Sequence, residues 1–173
     1  MRSAELYDSG VFLDPGALRD RELELVCVDR TPADPSRGFV PAYHFEMRVG
    51  GGTVGKIRFR IGDDDDLRLF AGHVGYGVEP AARGHHYAAR SIRLLIPLIA
   101  RHGFSEIWIT CDPANAASRR TCELAGAELV EIIDLPSDND QYLDGERQKC
   151  RYRLVVQNGM SSSGPPPPPP PPP

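Results

Sequence analysis

Lysine is almost missing. Lys56 and Lys149 are the only two in 173 residues, and arginine supplies the other cations, which reads as coding bias rather than function. Positive charge is not in excess either: 20 Lys and Arg stand against 24 Asp and Glu, a net charge of −4. Binding to nucleic acid in general favours a clustered basic surface, so no nucleic-acid partner is expected. Long apolar runs are also lacking. The longest, Leu94 to Ala100, is too short to span a bilayer, and the first eight residues hold no apolar signal core. A cytoplasmic protein with no membrane partner is the expectation. The four cysteines, Cys27, Cys111, Cys122 and Cys150, form no Cys-x-x-Cys pair. A structural zinc site is therefore not expected, and free buried thiols are.

The rest of the composition fits one folded domain with a tail. A hydrophobic share of 40% is ordinary for a globular chain. We place the domain at residues 1–158 and the tail at 159–173, where serine and glycine run into nine prolines. Such a tail is expected to be disordered, with its prolines extended as a polyproline helix. It could dock on an aromatic groove, but a spacer or an oddity of translation explains it equally well. A homodimer stays open.

Periodicity orders the domain. Residues 22–28 alternate as a strand, after a stretch with a short helix expected around Ala17. Tyr43, Phe45, Met47 and Val49 alternate with His44, Glu46 and Arg48. Gly50-Gly51-Gly52 turns the chain, and Ile57, Phe59 and Ile61 return against Lys56, Arg58 and Arg60, which makes a hairpin. Asp63 to Asp66 reads as a solvated acidic turn rather than a cation site. A fourth strand is expected within 67–78. A helix follows over 87–102, with Ile92, Leu95, Ile96 and Ile99 at spacings of three and four and Pro97 as a kink. Residues 106–111 read as a buried strand. Asp112 and Pro113 suit the cap and first turn of a second helix closed by Gly126. Strands at 127–135 and 150–156 flank a polar loop.

One stretch carries chemistry: Gly75-Tyr76-Gly77-Val78-Glu79-Pro80-Ala81-Ala82-Arg83-Gly84-His85-His86-Tyr87-Ala88. A short strand stops at Pro80, a tight turn covers Arg83 to His86, and a helix starts at Tyr87. Strand, small-residue turn, helix is the geometry of an anion cradle, because a helix N-terminus leaves N–H groups unpaired and adds positive potential. Three glycines in Rossmann spacing are absent, and so is the Gly-Lys-Ser/Thr of a P-loop. An ordinary strand-to-helix turn competes.

This stretch resembles the acyl-CoA-binding motif of the GNAT acetyltransferases: Gln or Arg, two residues, Gly, one residue, then Gly or Ala, after a strand ending Val-x-Pro. Val78 and Pro80 fit, Arg83 takes the first place and Ala88 the last, while His86 replaces the middle glycine. A second segment, Asn115 to Ala127, resembles the family's next helix. Asn115, Ser118 and Gly126 match, and Cys122 stands where many members carry a tyrosine. For Asn115 and Ser118 the plain alternatives are a helix cap and helix packing.

The resemblance implies a GNAT fold, a twisted mixed α/β sheet with antiparallel N-terminal strands and a parallel β-α-β acyl-CoA cleft. It implies N-acetyl transfer from acetyl-CoA, as cosubstrate and without a metal, to a primary amine of a small molecule or protein. Gly77, Val78, Arg83, Gly84, His85, His86, Tyr87, Ala88, Asn115 and Ser118 would contact the cofactor. The N–H groups near Gly77 and Val78 would hold the oxyanion. His73 is a candidate base and Cys122 a candidate acid, against the plainer readings of a strand histidine and a packed thiol. Glu79 and a base acting through water compete with His73. A non-catalytic CoA-binding sensor or adaptor is the alternative function.

Overall fold

The computed structural model describes residues 12–156; the polyproline tail lies outside them. Five strands form one antiparallel sheet in sequence order: β1 (Leu18–Asp20), β2 (Leu23–Thr31), β3 (Ala42–Val49), β4 (Gly52–Arg60) and β5 (Val74–Val78). The alternation of β3 and β4 is realised as read. Tyr43, Phe45, Met47, Ile57 and Phe59 are fully buried, while Arg58 pairs with His44 and Lys56 with Glu46 on the other face. Helix α1 (Tyr87–Arg101) packs on the apolar face. Its buried stripe, Ile92, Leu95, Leu98 and Ile99, has essentially no exposure, so truncating Leu95 to alanine should cost about 2–5 kcal/mol. Arg90 of the same helix ties down the first hairpin, with Nε 2.6 Å from Asp20 Oδ2 and Nη1 2.8 Å from Glu22 Oε1.

A second antiparallel sheet holds β6 (Glu106–Cys111), β7 (Glu128–Asp134) and β8 (Gln148–Val155), in the order β6-β8-β7. Helix α2 (Ala116–Leu124) joins β6 to β7, and the turn α3 (Asp140–Leu143) precedes β8. No helix among the described residues is long and apolar enough to cross a membrane.

The parallel ladder expected between β5 and β6 is reduced to one backbone hydrogen bond, made just before β5. His73 N–H donates to Trp108 O at 2.7 Å. The next rung would need the His73 carbonyl, which instead accepts from Arg60 N–H at 2.8 Å. Trp108 N–H, on the side away from the cleft, goes to His73 Nδ1 at 2.9 Å, and past this tie the two sheets diverge into a V.

Other boundaries differ locally. Residues 18–20 are a strand rather than helix, because pairing with Leu23 to Leu25 satisfies their backbone. Within 67–78, Leu67–Ala71 coils into a single π-helical turn and the expected strand is Val74–Val78. The turn's apolar residues mimic a strand in sequence. The second helix begins at Ala116, not Pro113. Asp112 Oδ1 instead accepts from Ala114 N–H at 2.7 Å, and Asn115 is the cap.

Candidate active site

The V opens into a cleft of about 600 Å³. One wall is β5 and the turn after it, with Tyr76, Gly77, Val78, Arg83 and Gly84. The other is α2, with Asn115, Ser118 and Thr121. His86, Tyr87 and Ala88 close the mouth.

The turn keeps the shape that a glycine would give it. His86 sits in the left-handed region at φ 59°, ψ 28°. That conformation costs a non-glycine residue roughly 1–2 kcal/mol, so neighbouring structure must hold it. Gly84 is also at positive φ, 94°, and a Cβ there would meet nothing within 4 Å. Gly84 itself lines the cleft. None of the N–H groups from Gly84 to Ala89 finds an acceptor among the described residues, and α1 has neither a side-chain cap nor an acidic residue in its first turn. Unpaired donors and an unopposed helix dipole converge on this mouth. These residues fit a pyrophosphate, and the apolar side chains of Ala82, Ala117 and Leu124 in the lining suit a slender chain.

The ladder of β4 and β5 fixes which strand amides face the gap. Arg60 N–H bonds His73 O, and Glu79 N–H bonds Val54 O, each at 2.8 Å. The pairs between them alternate, so Gly77 is bonded to Lys56 across the ladder. The N–H groups of Tyr76 and Val78 point the other way, into the V. Of the two amides expected near the oxyanion, Val78 faces the cleft and Gly77 serves the sheet.

Tyr76 is the residue that sequence reasoning missed. Its hydroxyl crosses the gap to Ser118 Oγ at 2.8 Å and lies 3.6 Å from Cys122 Sγ. Burial pushes its pKa far up, so it is a neutral phenol holding its proton. The alternation Val74, Tyr76, Val78 marks it as inward-facing. Nothing in the sequence says that it meets a helix 42 residues later.

Asn115 Oδ1 caps α2 by accepting from Ser118 N–H at 3.0 Å, so its side-chain amide is anchored at the cleft edge. His85 points out of the cleft lining and stacks on Tyr87, with ring centroids 5.2 Å apart. Cys122 is fully buried behind Tyr76 and its thiol pKa is raised, first by the neighbouring Cys111 and then by burial. His73 is 1% exposed. Its Nδ1 accepts from Trp108 N–H, so its Nε2–H donates to Gly62 O at 3.1 Å. Burial lowers its pKa. With both nitrogens engaged, the ring has no free lone pair for an incoming proton.

The opposite face of the same strand borders a second groove, of about 480 Å³. Tyr76 and Gly77 line both. His44 stands in this second groove, where burial and then Arg58 hold its pKa below the usual 6.5.

Comparison with known proteins agrees with this geometry. The model of the acetyltransferase (GNAT) domain matches residues 21–128. No curated protein matches the chain by sequence. Among solved structures, the chain is similar to RimL, a ribosomal-protein α-N-acetyltransferase in complex with coenzyme A, at 13% identity and TM-score 0.60, over 81% of this chain and 98% of that one. It is similar to the microcin self-immunity acetyltransferase MccE in complex with acetyl-CoA and AMP, at 19% identity and TM-score 0.54, over 66% and 61%. It is also similar to a ribosomal-protein alanine acetyltransferase from Vibrio fischeri, at 15% identity and TM-score 0.54, over 68% and 63%. This chain thus spans about three fifths of the last two. At these identities the likeness speaks for the fold alone, but the family model covers more than half of the residues, and the chain belongs to the GNAT acetyltransferases.

Proposed function

We propose that this protein transfers the acetyl group of acetyl-CoA to a primary amine by direct attack. The observation that carries the reading is the row of unpaired N–H groups from Gly84 to Ala89 at the mouth of a cleft split between β5 and α2. The family's reaction needs such a cradle for its nucleotide end. The cosubstrate supplies an activated thioester, so the protein must position, stabilise charge and move protons.

Each task has a residue in this reading. Val78 N–H, directed into the V, stabilises the oxyanion that forms when the amine attacks. Tyr76 stands where a thioester sulfur passing down the cleft would arrive. Its hydroxyl gives a proton to the departing thiolate and takes one back from the nitrogen of the new amide, and Ser118 Oγ orients it. The phenol from β5 thus takes the place that α2 leaves to Cys122. His44, kept neutral and two strands from Gly75 on the acceptor face, accepts the ammonium proton through water. At roughly 10 Å it is too far for direct transfer.

The test is acetyl-CoA turnover with a panel of primary amines, read as CoA release, beside the melting temperature with and without CoA. Release with at least one amine and a rise in melting temperature are expected. In Gly84→Asp the rise should vanish, because added bulk and a negative charge meet the pyrophosphate. A folded Gly84→Asp protein that still responds to CoA refutes the site. A CoA response with no acetylated amine refutes turnover and leaves a CoA-binding module.

A further inference from the structure

The outer face of β5 is bare. Gly75 and Gly77 occupy its two outward positions, so the strand's backbone floors the acceptor groove. Beside it β4 turns out three cations in a row, Lys56, Arg58 and Arg60. The carboxylates nearby are committed elsewhere. Glu46 holds Arg48 at 2.8 Å and accepts from Thr53 Oγ1 at 3.0 Å. Asp29 Oδ1 accepts from Arg30 N–H at 2.8 Å. Among the described residues none of the three cations forms an ion pair.

Arg60 is the informative one. Its guanidinium lies over Gly75, 3.5 Å from where a Cβ would be. Backbone carbonyls hold it, Gly72 O at 3.0 Å and Ala71 O at 3.4 Å from Nη1. Burial lowers its pKa, and Asp66 favours its charge only from beyond ion-pair range. A half-buried guanidinium fixed by carbonyls presents its remaining N–H groups in a set direction. A cation sheltered from water without a counter-charge is costly, and an anionic ligand relieves that cost. Arginine forks suit carboxylate and phosphate oxygens in particular. Beyond Arg60 the surface continues into a second hollow, whose far wall carries Asp64, Asp66 and Asp140. The cationic zone is therefore confined to the stretch beside Gly75.

Resting on the acetyltransferase reading above, we infer that the acceptor amine carries an oxyanionic group, carboxylate or phosphate, which Arg58 and Arg60 hold beside Gly75 while the amine reaches Val78. An amine poised over Gly77, whose neighbour Val78 supplies the oxyanion N–H, stands two residues from Gly75, about 7 Å along the strand, which suits an oxyanion roughly four to six bonds from the amine.

The experiment compares kcat/KM for butylamine, 4-aminobutanol, 4-aminobutyrate and 3-aminopropyl phosphate, with CoA-induced stabilisation measured on the same samples. The two anionic amines should exceed the two neutral ones by about tenfold or more, and the carboxylate and phosphate arms identify the preferred oxyanion. Added salt should shrink that ratio. In Arg58→Gln and in Arg60→Gln the ratio should fall towards one, chiefly through KM, and Arg58→Lys should restore part of it. Equal rates for neutral and anionic amines in a CoA-responsive enzyme overturn the oxyanion and spare the acetyltransferase. A preference that survives both glutamine variants overturns the assignment of these arginines. If CoA stabilises the protein and no amine reacts, both readings fall.

Discussion

Alanine at position 55 should push β5 away from β4 at the point where the oxyanion would sit. Gly55 pairs with Val78, and a Cβ on it would lie 2.5 Å from Gly77 O, 2.9 Å from Met47 Sδ and 3.2 Å from Val78 Cα. The sulfur can swing aside on a flexible chain. The carbonyl cannot, because it belongs to the ladder. To restore even a 3.0 Å contact the strand must give by about half an ångström, a close overpacking that costs roughly 1–3 kcal/mol. In a chain of this length that lowers the melting temperature by about 2–12 °C. The displaced strand carries Val78 N–H with it, and an error approaching 1 Å at a reacting group costs up to about a hundredfold in rate. A loss of ten- to a hundredfold in kcat is therefore expected, while the CoA concentration for half-maximal stabilisation shifts by less than about threefold, since Gly84 to Ala89 lie beyond the strain. Gly77→Ala is the control, because a Cβ there meets nothing within 4 Å, and it should melt no lower than the parent. Scanning fluorimetry and CoA release decide the matter. A Gly55→Ala protein with parental melting and turnover would refute both the tight ladder at Val78 and the role of its N–H.

Tyr76→Phe, which keeps the ring and removes the hydroxyl, should cut kcat by about 10²–10⁴ with CoA affinity preserved; a loss below fivefold would mean that the thiolate leaves unaided. Cys122→Ala should lower turnover by less than about tenfold, because the thiol is buried behind Tyr76, and a fall of several hundredfold at constant CoA affinity would make the thiol catalytic. Stability should decline as pH falls below about 6.5. Burial lowers the pKa values of His73 and His102 from 6.5 in the fold, so the unfolded chain takes up those protons first and the contribution is intact only above that pH. A melting temperature flat from pH 8 to 5 would show that neither ring is held neutral.

What the sequence disclosed follows the range of the forces involved. The β3–β4 hairpin and α1 were legible because one buried face repeats with period 2 or 3.6. The strand-turn-helix stretch was legible because Arg83 to Ala88 is contiguous, and its one irregular residue, His86, takes the left-handed conformation that glycine would have had. Strand β1 was hidden by its three residues, too few to show a period. Leu67–Ala71 was hidden by apolar residues that serve a coil as well as a strand. Tyr76 was read only as one residue of the cradle stretch, and the arginines of β4 only as outward. What each faces is decided by elements far along the chain. The His73 side chain was read as a candidate base or a strand-surface group, because no local pattern marks a ring that bonds the strand after the next helix.

That ring acts as a tie. Two neighbouring strands of one sheet normally zip along their full length, since each further rung satisfies two backbone groups. Here the next rung would need the His73 carbonyl, which already accepts from Arg60 N–H, so the backbone zip stops after one bond. The ring adds a second link, to Trp108 N–H, on the side away from the cleft. The closed end of the gap is thus held by a residue that does not line the cleft. A histidine buried this way can be mistaken for catalytic by any assay that counts only lost activity, because its replacement orphans Trp108 N–H without removing a reacting group.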